Sequence, residues 1–104
     1  MKIDFDQVLV GVEGKPITVN DPDVPDEEVL MLKRVCVNAI FIANPRDQKN
    51  PSAEEKVRLY KLGLRIHEGG EQEITAEDVV LLKEKISDLY GVLITGQAIL
   101  LLEG

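Results

Sequence analysis

Tryptophan is absent from this sequence, cysteine and histidine occur once each, and Phe5, Phe41, Tyr60 and Tyr90 are the whole aromatic complement. A lone thiol, Cys36, excludes an internal disulfide and any zinc site built from several cysteines. A lone imidazole, His67, has no second histidine with which to share a metal. Long hydrophobic runs are missing too. The longest apolar stretches, Val35–Ala43 and Ala98–Leu102, fall well short of the ~20 residues that span a bilayer. No basic segment followed by an apolar run follows Met1, so no secretory signal is expected. Asn50-Pro51-Ser52 has proline where a glycosylation acceptor forbids it. These absences imply a cytoplasmic protein without membrane, metal or cofactor.

What is present suits one small domain. The chain has 104 residues, of which 44% are apolar, so a single core must be built from Val, Leu, Ile and Met. A domain of this length buries roughly 65% of the surface its unfolded chain exposes.

Local patterning predicts a short hairpin followed by helices. Ile3 and Phe5 alternate with charged residues, and Val8–Val12 forms a second β-branched run. Glu13-Gly14-Lys15-Pro16 carries turn chemistry, and Ile17–Val19 returns as a strand. Residues 1–20 thus read as the hairpin. Residues 21–28 read as an acidic loop broken by Pro22 and Pro25, and 29–104 as the helical part. Val29–Leu32 fits either a short strand or the opening of a helix. From Lys33, apolar residues recur at helical spacing and continue around most of the circumference, which predicts a buried helix ending at Asn44-Pro45.

A second helix opens on the capping box Ser52–Glu55 and stops at Gly69-Gly70. Its apolar residues form two stripes, Ala53/Val57/Tyr60/Leu64 and Leu59/Leu62/Ile66, which predicts packing on both sides. Gly63, about 1 kcal/mol worse than Ala in a helix, implies a close helix approach. Glu71–Ile74 reads as a short strand. Thr75 caps a third helix whose stripe is Val79, Leu82, Ile86, Leu89 and Tyr90. Gly91 ends or bends it, and Val92–Glu103 forms a fourth, with Ile94, Ala98, Leu101 and Leu102 inward. Leu93, Ile99 and Leu100 are left over for a homodimer, a partner groove or the monomer core. The fold class is therefore α+β, mostly helical, with an N-terminal β-hairpin packed on about four helices.

The formal charge of −7 is unevenly divided. Residues 1–30 and 68–104 each sum to −6, whereas 31–67 sum to +5. Arg58, Lys61 and Arg65 share one helical face within roughly 60°. They either pair with the acidic flanks or meet an acidic partner, with Arg46 and Lys49 as neighbours. Asp21, Asp23, Asp26, Glu27 and Glu28 form a negative patch suited to a basic partner or to mimicry of a nucleic-acid backbone. Their spacing lacks the glycine and distal glutamate of a calcium loop. Both clusters are candidate interaction residues. Nucleic acid is the weaker partner, because a basic surface free of acids is wanted and the sequence pI is about 4.6.

No catalytic set emerges. Cys36 falls on the most apolar helix, where a thiol behaves as a small hydrophobe. His67 falls at a helix C-terminus, where a cation complements the dipole. Gly69-Gly70 lacks the Lys-Ser/Thr and the strand–helix setting of a phosphate loop. A protein without enzymatic activity is expected.

Four segments carry a resemblance: Leu30–Ala39, Glu54–Leu64, Ile74–Lys83 and Gly96–Gly104. Their order resembles small proteins encoded by tailed phages and prophages, over about residues 29–104. The resemblance implies expression in a bacterial host cytoplasm. It also implies work through protein–protein contact, such as an assembly chaperone in morphogenesis. The alternative is a regulator linked to nucleic acid, through the basic stripe or as an acidic DNA mimic.

Overall fold

The computed structural model describes residues 2–19, 28–42 and 52–103. Asp21, Asp23, Asp26, Glu27, Arg46, Lys49 and the helix stop at Asn44-Pro45 lie outside the described residues, and Glu28 is described by its backbone alone. The fold is α+β and mostly helical. Its elements are β1 (Lys2–Asp4), β2 (Thr18–Val19), β3 (Glu28–Val29), α1 (Leu32–Phe41), α2 (Ala53–His67), β4 (Glu71–Glu73), α3 (Ala76–Leu89) and α4 (Val92–Leu102).

The N-terminal turn forms where the glycine chemistry placed it. Gly14 has φ +82°, the Gly11 amide donates to Lys15 O at 2.8 Å, and Val10 bridges Pro16. The two arms stay paired just beyond the turn, where Ile17 N donates to Leu9 O at 3.0 Å. The first residues find a distant partner: β1 pairs antiparallel with β4, Ile3 opposite Gln72. β2 pairs with β3, Thr18 opposite Val29. A two-stranded ribbon is marginal in water, so each is anchored by the helices and by further backbone bonds.

Those bonds explain the start of α1. Its N-cap, Met31, has no side chain able to cap, and the first amides of a helix have no partner within it. Here Leu32 N donates to Gln7 O at 2.8 Å and Lys33 N to Phe5 O at 2.9 Å. The N-terminal segment thus caps α1 with its own carbonyls. By contrast, α2 and α3 use side chains. Ser52 Oγ accepts from Glu55 N at 3.2 Å, and Thr75 Oγ1 accepts from Asp78 N at 3.1 Å. Gly69 and Gly70, at φ +75° and +70°, turn the chain out of α2 into β4, a conformation that other residues adopt at a cost.

α1 lies at the centre, in contact with α2, α3 and α4. Phe5, Leu9, Leu32, Ile66, Leu82, Ile86 and Leu102 are among the fully enclosed core side chains. Each contributes about 1.5–3 kcal/mol relative to its exposed state. The third and fourth helices bury the stripes read from their spacing, with Leu89, Tyr90, Ile94 and Leu101 packed at the core margin. Gln97 of α4 reaches the N-terminal turn, where its Oε1 accepts from Val10 N at 2.9 Å and its Nε2 donates to Val10 O.

Two expectations need correction. The Leu59/Leu62/Ile66 stripe of α2 is buried, but Ala53, Val57, Tyr60 and Leu64 are exposed. α1 is not buried all round either, because Phe41 and Ile42 at its end face solvent. The reason is geometric: α2 packs chiefly on α1, and no described element covers its other face.

Candidate functional site

The basic stripe of α2 is largely engaged within the molecule. Arg58 Nη2 and Nε donate to Asp78 Oδ1 at 2.8 and 3.2 Å, and Nη2 lies 3.4 Å from Glu77 Oε2. Asp78 is only 8% exposed and sits in the first turn of α3, where the dipole favours an anion. Burial pushes its carboxyl pKa up. The hydrogen bonds that the carboxylate accepts from Arg58 and Thr75 outweigh that and bring it below the ordinary carboxylate value. The same pairing raises the Arg58 pKa. Arg65 Nη2 donates to the Glu73 carbonyl of β4. Lys61 is exposed between them. Arg58 and Arg65 therefore tie α2 to the acidic C-terminal part of the chain, which leaves Lys61 as the outward member of the three.

Chemistry at Cys36 is suppressed. Its side chain is fully enclosed, and burial pushes the thiol pKa up to about 12. Tyr90 is likewise raised by burial, only partly offset by the hydrogen bond that Asn38 Nδ2 donates to its Oη at 3.2 Å. Among the described residues, no three His, Cys, Asp or Glu side chains gather as a metal site. No described helix is long and apolar enough to cross a membrane.

Two surface features stand out instead. The first is the uncovered face of α2 with the end of α1. Val57, Tyr60 and Leu64 recur at the three- and four-residue spacing that aligns side chains on a helix. Phe41 meets Tyr60 edge-on, with ring centroids 6.3 Å apart at 79°. Phe41 is 47% and Tyr60 56% exposed, and Ile42 and Leu64 are exposed to a similar degree. Gly63 makes this junction possible, since a Cβ there would lie 2.5 Å from the Phe41 ring. On α4, Val92, Leu93 and Leu100 are also exposed, and Ile99 is half-buried.

The second is a groove of about 650 Å³ lined by Val29, Met31, Lys33, Arg34, Val37, Asn38 and His67. Sequence reasoning did not bring these residues together, because they come from β3, α1 and the far end of α2. One signal was available. Lys33 and Arg34 occupy the first turn of α1, which contains no acidic residue, against the dipole preference for anions there.

Comparison with known proteins finds no match among protein-family models, curated proteins or solved structures.

Proposed function

We propose that this chain works without enzymatic activity, by docking another protein on the apolar face formed by α2 and the end of α1. The carrying observation is the adjoining, solvent-facing set Phe41, Ile42, Val57, Tyr60 and Leu64. Contiguous exposed apolar patches mark protein contact sites, and aromatic residues are enriched at such interfaces. Lys61, on the same helix, supplies a polar rim. The enclosed, high-pKa thiol of Cys36 supports the non-enzymatic part of the reading.

In the phage setting implied by the sequence resemblance, the role is that of a morphogenesis chaperone in the bacterial cytoplasm, shielding a partner until assembly. Self-association through the same face is the closest variant of this reading. A nucleic-acid role has less support, because Arg58 and Arg65 already hold internal partners.

The test pairs the native chain with a Tyr60→Glu/Leu64→Glu variant, both sites being exposed enough to preserve the fold. Affinity capture from phage-infected or lysogenic bacteria and sedimentation velocity are run on each. The native chain should retain a specific partner, or self-associate, and the variant should do neither. Identical captured proteins and monomeric sedimentation for both would overturn the proposal. Retention on immobilised DNA, weakening steeply with salt, would favour the regulator instead.

A further inference from the structure

The apolar residues left outside on α2 follow a heptad. Ala53, Val57, Tyr60 and Leu64 are spaced four, three and four residues apart, the alternation that lines one helix along another. Glu54, Lys61 and Glu68 follow one flank of this seam at intervals of seven residues, and all three are exposed. Lys56 is exposed on the other flank, where Gly63 leaves room for the Phe41 ring. Among the described residues, no ion pair within the chain engages the Glu54 carboxylate or the Lys61 ammonium. At 1.5 Å per residue these two lie about 10 Å apart along the helix, too far to pair with each other.

We propose that a second copy of this chain covers the seam, its α2 antiparallel to the first, with Glu54 of each copy beside Lys61 of the other. The proposal rests on reading this face as a docking surface and names its occupant. In that arrangement Val57 lies against Tyr60 of the other copy and Leu64 against Ala53, so a larger side chain meets a smaller one at each layer. The contact is isologous and closes at two copies. Charge selects both direction and register, since flanking charges set partner choice and orientation between paired helices. Parallel helices would set Lys56 of each copy beside Lys61 of the other. Sliding the antiparallel pair by seven residues would set Lys61 beside Lys61 and Glu54 beside Glu68. Of these three arrangements, the one stated pairs opposite charges while covering Val57, Tyr60 and Leu64 together. The chain's own sequence satisfies both flanking charges across a two-fold axis, which favours a second copy over a foreign helix.

Sedimentation equilibrium of the whole chain up to about 1 mM, a concentration that populates even a weak dimer, reads the association. Glu54→Lys and Lys61→Glu each turn both cross-pairs into like-charge contacts, and each should weaken the dimer about tenfold. Mixing the two variants restores opposite charges, since one copy then carries both cations and the other both anions, and dimer should return. The double variant Glu54→Lys/Lys61→Glu should dimerise about as well as the native chain. Both sites are exposed, circular dichroism confirms that each variant folds, and the double variant suffices if a single one does not. A native chain that stays monomeric at the highest concentration overturns the proposal. So does a dimer indifferent to the single substitutions, or one not recovered on mixing. If Tyr60→Glu/Leu64→Glu still loses a captured partner of different sequence, the docking reading stands and the second copy alone falls as its occupant.

Discussion

Replacing Gly63 by alanine tests the α1–α2 junction most directly, because two effects of opposite sign meet there. Alanine in a helix interior gains about 1 kcal/mol over glycine. The new Cβ, however, would sit 2.5 Å from Cε2 and Cζ of Phe41, while Ile40 Cγ2 at 3.5 Å is in ordinary contact. The ring must move by about 1 Å to reach a normal carbon–carbon separation. It can do so, being 47% exposed, but only by swinging off α2. That forfeits the edge-on contact with Tyr60, about 0.5–1.5 kcal/mol. It also uncovers apolar area at about 1 kcal/mol per ~40 Å². A loss of about 2 kcal/mol against a gain of about 1 leaves Gly63→Ala net destabilising by about 1 kcal/mol. The melting temperature should fall by roughly 4–8 °C. In a Phe41→Ala background the obstruction is gone, and the same substitution should stabilise by up to about 1 kcal/mol. Urea titrations followed by far-ultraviolet circular dichroism give the four free energies of the cycle, with an expected coupling near 2 kcal/mol. A Gly63→Ala chain stabilised equally in both backgrounds would refute the reasoning, since Phe41 could not then be what excludes the methyl group.

Two further expectations follow from the titratable groups. The Asp78 carboxyl has its folded pKa lowered, so its contribution to stability is present above the unfolded value and lost as pH falls through the lowered folded one. In Arg58→Met only burial and the Thr75 contacts remain, and burial raises the pKa. That variant should have a lower urea midpoint than the native chain at neutral pH, and the gap should narrow on acidification below about pH 4. A gap independent of pH would show that Arg58 does not stabilise the Asp78 carboxylate. Cys36, with a pKa near 12 against 9.0 for a free thiol, should react with a disulfide reagent at mildly alkaline pH roughly a thousandfold more slowly than an exposed thiol, from thiolate fraction alone. Full reactivity should return in denaturant, and rapid colour from the native protein would place Cys36 in the open.

Local chemistry made much of the fold legible. Ser52 and Thr75 mark helix starts because a hydroxyl at those positions satisfies amides only three residues away. Gly14, Gly69 and Gly70 mark turns because positive φ is a property of the residue itself. The spacing of Val79, Leu82 and Ile86 names the inward face of α3 whatever lies opposite. The close approach at Gly63 was legible too, though its partner, Phe41, was not. Pairing of β1 with β4 was hidden, since both strands are too short to specify a register on their own.

The candidate sites depended still more on assembly. Nothing in the spacing of Val57, Tyr60 and Leu64 distinguishes a core stripe from a docking surface, for periodicity reports that a face is apolar and not what covers it. Arg58, Lys61 and Arg65 looked equivalent along α2 until α3 and β4 arrived beside two of them and left Lys61 outward. The groove exists only because β3, α1 and the end of α2 converge. Sequence therefore decided which segments form helices, where α2 and α3 begin and which residues are apolar, because those depend on interactions within a few positions of the chain. Tertiary structure decided which apolar face is covered, which cation is paired and where a cavity opens, because those depend on neighbours tens of residues away.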